Sequence, residues 1–484
     1  MSTPAVASLG RDSEWSAVRV SVLGLGMAGF SCADALMQLG AQVTVVDEMD
    51  GDAQGERAEI LGSLGASVLL GPGSHIPAET DVVVASPGIR PSSAMFTPAR
   101  QGQIPIWGEL ELAWRLRRGP ADAPWLCVTG TNGKTTTTLM LESILAASGA
   151  KAVAAGNIGN PLVDVVMHDH VDVIAVEVGA PQLPFVTSMS PWAAVCLNIA
   201  PDHLDHFENF TNYLATKERV FHQCQVAAVY VVEEDHTRAM VERADVVEGC
   251  RAIGVTIGIP GVSMLGVVDE YLVDRAFIEN RREAAQELAR VDDVQPAAPH
   301  NVVNALAAAA LARSYGVEPT AVQEGLRGFT PAPHRIADVG EAGGVRFVDD
   351  SKATNAHAAE MSLRAYPSIV WIAGGMAKGQ EFDDLVRGVA DRLTGVVLMG
   401  VDAPVLATAL ARHAPDVPVI TIHRTDTGAM SEAVASAASM ASPGVVVLLA
   451  PGCASWDMFD DYTHRGRLFA DAVHQHLAQA AKRP

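Results

Sequence analysis

The segment Thr129-Gly130-Thr131-Asn132-Gly133-Lys134-Thr135-Thr136 constrains this chain more than any other. It follows an apolar, strand-like run, Trp125-Leu126-Cys127-Val128, and precedes a helix-like run from Leu139 to Ala147. Strand, glycine loop and helix start in that order aim backbone N–H groups and a positive helix end at a polyphosphate. Lys134 is placed to neutralise β- and γ-phosphates, and the Thr135 hydroxyl to hold Mg²⁺. Val128 stands where a strict Gly-x4-Gly-Lys-Thr loop has its first glycine, so Gly130 supplies the turn. A plain turn ending in an exposed lysine accounts for one of these signals, not all three. The reading is an ATP site.

Length and composition set the frame. A chain of 484 residues has room for about three domains. Hydrophobic residues at 49% against 19% charged support buried cores, and aromatics at 5% suit closely packed α/β layers. The net charge of −22 argues against a nucleic-acid partner, which needs clustered basic residues. No run approaches the ~20 apolar residues of a spanning helix, and no basic segment precedes an apolar core near the N-terminus, so no membrane insertion is expected. The six cysteines are scattered without metal-type pairing. Cys32, Cys127 and Cys196 lie in apolar segments and read as small core residues, which fits a reducing cytoplasm.

Strands and helices alternate along the chain. Val18 to Leu23 leads into a glycine loop, a helix through Leu39 and a strand, 42–46, ending at Asp47; Val82-Val83-Val84-Ala85 is a further buried-type strand. Such alternation predicts parallel sheets in an α/β fold. The stretch 117–124 and the Pro-rich stretch 330–335 read as linkers, giving three domains: 1–120, 121–332 and 333–484. The first and last are expected to be Rossmann-like, and the central one a P-loop ATPase-like parallel sheet. A helix over 301–313 and strands at 368–373, 395–399 and 445–450 complete the pattern.

Gly24-Leu25-Gly26-Met27-Ala28-Gly29 also follows a strand and opens a helix, and Asp47 ends the next strand. This is dinucleotide-fingerprint spacing, with the acid set for a ribose hydroxyl. Alone it supports a nicotinamide-dependent oxidoreductase, or merely a glycine turn packing helix on strand. The same geometry serves a UDP-sugar, and an ATP loop in the next domain favours that, because hydride transfer needs no ATP.

In the central block, Glu177 ends the apolar run Val173-Ile174-Ala175-Val176, and His203 follows the strand-like Val195-Cys196-Leu197-Asn198. A carboxylate there is costly to bury unless it meets a cation. Strand ends of a parallel sheet gather at the ligand edge. Glu177 and His203 are therefore expected to converge on Mg²⁺ beside Thr135, although His203 alone reads as a histidine at a helix start.

The blocks Thr129–Thr136, Gly156-Asn157-Ile158-Gly159, Glu177, Asn198 to Asp205 and His300-Asn301-Val302-Val303-Asn304 resemble the Mur ligase family of ATP-dependent amide-forming enzymes. The resemblance implies adenine contacts from Asn301 and Asn304, two Mg²⁺ ions, and a carbamylated Lys217 as a further metal ligand. Its chemistry is coherent: a neutral amine adds CO₂ and becomes an anion that a second Mg²⁺ requires. Pro333-His334-Arg335, Asp349 to Asn355, Gly374 to Gly379 and Ala450 to Asp457 are similar to the branch that adds D-glutamate. That implies ligation of D-glutamate to UDP-N-acetylmuramoyl-L-alanine through an acyl phosphate, in cell-wall precursor synthesis, by a monomer. Arg335 is then assigned to the γ-phosphate and Asp350 to the ATP ribose. Thr354, Lys378, Ser455, Trp456 and Tyr462 fall to the amino acid, although Lys352 and Lys378 also read as surface lysines and Ser455 as a helix cap. Gly26, Met27 and Ala28, the turn Ser86-Pro87-Gly88, Asn157 and Gln182 fall to the UDP-sugar acceptor, with Lys134, His203 and Lys217 catalytic. Another amino-acid-adding member, a nicotinamide-dependent oxidoreductase and a non-catalytic nucleotide-dependent module are the alternatives.

Departures from the family pattern are local. After Glu177 the family usually continues Leu-Ser-Ser-Phe-Gln-Leu, whereas this chain reads Val178-Gly179-Ala180-Pro181-Gln182-Leu183. The loss of two hydroxyls and one N–H predicts weakened or rearranged acceptor binding, with ATP binding intact. Ala450 replaces a frequent serine, and Glu48-Met49 stand where relatives offer a threonine and an arginine to the diphosphate.

Overall fold

The computed structural model describes residues 6–119, 122–168, 170–202, 204–331 and 334–480. It divides into two compact units, Met1–Ala297 with Asn301–Phe329, and Ala298–His300 with Thr330–Pro484.

The first unit holds two sheets. One has five parallel strands in the spatial order Ser67–Leu70, Gln42–Asp47, Arg19–Leu23, Val82–Ala85, Ile106–Gly108. The strand order reverses beside Arg19–Leu23, the usual place for a ligand in a doubly wound sheet. Val20 and Val22 face one apolar cluster, while Leu23, Val83 and Ala85 face another, so both sides of the sheet are covered.

The second sheet has nine strands. Its parallel part runs Ala152–Gly156, Val173–Glu177, Trp125–Thr129, Ala193–Cys196, Ala227–Val231, Arg251–Val255. Met264–Val268 extends it in parallel, then Tyr271–Asp274 and Gln286–Arg290 add antiparallel pairings that the sequence reading did not anticipate. Every residue of Trp125–Thr129 and Val173–Glu177 is buried, which explains why both read as unbroken apolar runs. Val128 pairs with Glu177 on one side and Val195 on the other, so the loop after Thr129, Glu177 and the end of Ala193–Cys196 share one sheet edge. One continuous core joins the two sheets, with Val22 and Val45 of the first and Cys127 and Val176 of the second in the same cluster.

The second unit is a six-stranded sheet ordered Ala337–Ala342, Val345–Asp349, Val446–Leu449, Ile369–Gly374, Leu393–Met399, Val419–Thr421. The first pair is an antiparallel hairpin; the remaining pairs are parallel. Among the described residues no helix is long and apolar enough to cross a membrane.

Candidate active site

The loop after Trp125–Thr129 feeds the helix Lys134–Ala147 through Gly133, which takes a left-handed φ of 82°. Thr135 and Thr136 sit half-buried in that helix's first turn. Asn198 ties the loop to the neighbouring strand end. Its Oδ1 accepts the Asn132 N–H at 2.9 Å, and its carbonyl accepts the Thr131 N–H at 3.0 Å. The Lys134 ammonium folds back onto the loop, donating to the Gly130 and Thr131 carbonyls at 2.9 and 2.8 Å. Asn304 packs against Gly133 so closely that a Cβ there would lie 2.5 Å from its Oδ1. It donates at 3.1 Å to Asn301. The structure thus gathers residues 130–136, Asn301 and Asn304 around one loop.

Lys217 and Glu177 approach the same edge. Lys217 is 1% exposed, and its Nζ donates to the Gly130 carbonyl at 2.8 Å. Burial above all, with the nearby charge of Lys134, brings its pKa down to about 7. Glu177 is 2% exposed; its Oε1 accepts from Asn157 Nδ2 at 2.8 Å, and its buried Oε2 has no hydrogen-bond partner among the described residues. A buried carboxylate oxygen left without a partner, at the sheet edge that carries a phosphate-type loop, suits a hard divalent cation. His203 lies outside the described residues; among those described, no three His, Cys, Asp or Glu side chains form a metal-type cluster.

A cavity of ≈ 270 Å³ lies between the two sheets of the first unit, lined by Met27, Ala28, Pro87, Asn157, Gln182 and Glu109 among others. Five of these six carry the acceptor assignment made from sequence; Glu109 does not. Gly26 caps the helix Met27–Gln38, and the Ser86 hydroxyl donates to the Gly24 carbonyl at 2.9 Å, which fixes the turn bearing Pro87 and Gly88. Asp47, the acid expected at a ribose hydroxyl, is hydrogen-bonded to its own loop. Its two oxygens accept the Leu25 and Met49 N–H groups at 2.6 and 2.9 Å, so it braces the loop. Arg57, unnoticed in the sequence, donates to the Leu25 carbonyl at 3.1 Å and sets a cation beside that loop.

In the second unit, Asp350 is buried and bonded by the Ser362 hydroxyl, and burial pushes its pKa up to about 6 against the lowering effects of Ser362 and Arg335. Lys378 stands with its Nζ 4.1 Å above the Trp456 ring, and Lys352 3.7 Å above the Tyr462 ring. Arg465, fully buried, donates to the Ser351 and Cys453 carbonyls at 2.8 and 3.0 Å, and the Ser351 hydroxyl donates to the Tyr462 carbonyl at 2.8 Å. The segments carrying Thr354, Ser455 and Tyr462 are thereby held together.

A phosphate-type loop sharing its sheet edge with a buried carboxylate, one oxygen of which has no partner among the described residues, is built to handle a nucleoside triphosphate. Three family descriptions cover the chain: the N-terminal domain of MurD-like Mur ligases matches residues 18–108, the Mur ligase middle domain 128–312, and the Mur ligase glutamate ligase domain 334–453. A UDP-N-acetylmuramoylalanine–D-glutamate ligase of Streptomyces coelicolor is 54% identical over 466 residues, spanning 96% of this chain and 99% of the relative. Its namesake from Thermobifida fusca is 50% identical over 458 residues, 94% and 98% of the two chains. The solved UDP-N-acetylmuramate–alanine ligase of Thermotoga maritima has a TM-score of 0.56 at 18% identity, covering 95% of this chain and 99% of that one; this likeness is one of fold. The chain belongs to the Mur ligase family of ATP-dependent amide-bond-forming enzymes. With that, the oxidoreductase reading of the first glycine loop falls away.

Proposed function

We propose that this enzyme joins D-glutamate to UDP-N-acetylmuramoyl-L-alanine in peptidoglycan precursor synthesis, acting in the cytoplasm as a monomer. The observation that carries the reading is the end-to-end match, at 54% identity, to a relative bearing that activity in its name. The chain divides functionally into 1–120 for the UDP-sugar, 121–332 for ATP and 333–484 for the amino acid.

A carboxylate resists direct attack by an amine. The acceptor carboxylate oxygen first attacks the γ-phosphorus of ATP, ADP leaves, and an acyl phosphate forms. The D-glutamate nitrogen then attacks the acyl carbon, phosphate leaves, and the nitrogen loses a proton as the amide forms. Lys134 and the loop N–H groups stabilise the charge spread over the transferred phosphoryl group. Mg²⁺, held by Thr135, Glu177 and His203, would supply Lewis-acid stabilisation at those oxygens. Lys217 suits carbamylation, since a pKa of about 7 leaves much of it as neutral amine at physiological pH. Arg335 is assigned to the γ-phosphate and Asp350 to the ribose; Thr354, Lys378, Ser455, Trp456 and Tyr462 receive D-glutamate. The test is phosphate release by purified enzyme with ATP. Release that requires both D-glutamate and UDP-N-acetylmuramoyl-L-alanine is the expected result, and release indifferent to either sinks the proposal.

A further inference from the structure

The acceptor cavity contains a carboxylate with no part in the chemistry above. Glu109 opens the helix Glu109–Arg115 and is 2% exposed. Its Oε1 accepts the Leu162 N–H at 2.7 Å, capping the helix Leu162–His168, and its Oε2 accepts from Gln182 Nε2 at 3.3 Å. Gln182 Oε1 in turn accepts the Gly179 N–H at 2.8 Å. An ionised carboxylate only accepts, so it decides which end of the Gln182 amide faces it. Turned about, that amide would set its NH₂ against the Gly179 N–H and its oxygen against the carboxylate, leaving buried groups without partners. Asn157 joins the same packing, because a Cβ on residue 179 would lie 2.9 Å from Asn157 Oδ1 and 3.2 Å from Gln182 Oε1.

We propose that Glu109 is a positioning residue for acceptor binding: by orienting Gln182 it sets the cavity wall that Gln182 and Asn157 present to the UDP-sugar. The inference rests on the ligase reading above. Its own titration supplies a readout. Burial, the largest cause, pushes the Glu109 pKa up to about 7, with Asp164 raising it and the Leu162 and Gln182 hydrogen bonds opposing. The titratable groups near it are Asp164 on Leu162–His168, whose carboxylate accepts from Ser31 at 2.8 Å, and the buried Cys32 thiol on Met27–Gln38. The turn Ala180–Phe185 brings the neutral Gln182. Above pH 7 the ionised carboxylate holds the amide as described. Protonation places an O–H against the donating Nε2, so the hydrogen bond that orients the amide is lost and the cavity wall loosens.

The experiment is steady-state kinetics across about pH 6 to 9 with UDP-N-acetylmuramoyl-L-alanine varied, on the wild type, Glu109→Gln and Glu109→Asp. The wild-type acceptor KM should rise about tenfold as pH falls through about 7. Glu109→Gln should hold the high KM at every pH, with the KM for ATP within about twofold of wild type. An acceptor KM in Glu109→Gln equal to or below wild type overturns the inference, since repulsion of an anionic acceptor would then outweigh positioning. An equal rise in the KM for ATP also overturns it, pointing to a general structural role. Should thermal melting show Glu109→Gln unfolded, Glu109→Asp decides: it keeps the charge but falls one methylene short of Gln182. A raised acceptor KM with the pH dependence retained supports the inference, and a wild-type KM ends it. A wild type that never turns over this acceptor removes the ligase reading, and the inference with it.

Discussion

Lys134 and Lys217 donate to the same oxygen, the Gly130 carbonyl, at 2.9 and 2.8 Å. Two amines held on one loop carbonyl repel when both are charged, and the more buried partner yields. Lys217 is that partner: burial first, and Lys134 second, depress its pKa to about 7. Lys217 is thereby available as a neutral amine beside the other lysine on that loop.

The stability of the apoprotein should carry the mark of Lys217. In the unfolded chain this amine titrates near its ordinary value, about 10.4. Between about 7 and 10.4 the unfolded state binds the extra proton, so Lys217 makes folding stability increase with pH there, by up to about 1.4 kcal/mol per pH unit. Lys217→Met should lose that slope and lose activity. Urea titrations at stepped pH check the slope, and phosphate release checks the activity; an unchanged slope contradicts the burial argument.

Lys134→Met should lower kcat by about 100-fold or more, the scale for removing one group that stabilises transition-state charge. The acceptor cavity lies elsewhere in the first unit and does not include Lys134, so the affinity for UDP-N-acetylmuramoyl-L-alanine should stay within about twofold of wild type. Single-turnover phosphate release and calorimetric titration with the acceptor separate the two effects.

Much of the fold was legible because the strands that matter are buried on both faces. Val82–Ala85 and Val173–Glu177 coincide with apolar runs read from sequence, and the loop between Thr129 and Lys134 announced itself through glycine and lysine spacing. The antiparallel strands at 264–290 gave no such signal. Met264–Val268 carries Gly266, Gln286–Arg290 begins with two exposed residues, and neither reads as a core strand. At the site, the missed features are those made by distant partners. Glu109 meets Gln182 across 73 residues of chain, and no local pattern reveals it. Asp47 adds a second case: its oxygens accept the Leu25 and Met49 N–H groups, a bracing role that the sequence spacing did not announce.

The family's serine at position 179 does not fit this chain as it stands. A Cβ there would fall 2.9 Å from Asn157 Oδ1, so Gly179 is the partner of a particular Asn157 placement. Gly179→Ser should displace Asn157 and the Gln182 amide, raise the acceptor KM several-fold and destabilise the protein by about 1–3 kcal/mol, as overpacking does. An acceptor KM below wild type with unchanged stability would show that the hydroxyl is accommodated and that the glycine weakened binding. Thermal melting and acceptor kinetics on the same preparation distinguish the outcomes.

Glu177 gives the sharpest test of the metal assignment, because its buried Oε2 has no partner among the described residues while Oε1 is held by Asn157 at 2.8 Å. Burying an ionised oxygen with nothing to meet costs on the order of several kcal/mol, a cost that a divalent cation offsets. Glu177→Gln removes the charge and keeps the shape. The Mg²⁺ concentration for half-maximal phosphate release should rise by about tenfold or more, since the proposed anionic ligand is lost. The metal-free variant should melt higher than the metal-free wild type, because the uncompensated charge is gone. If Glu177 instead played only a packing role, Mg²⁺ dependence would be unchanged and the metal-free variant would be no more stable. Melting curves with and without chelator, taken beside the Mg²⁺ titration, separate these two accounts.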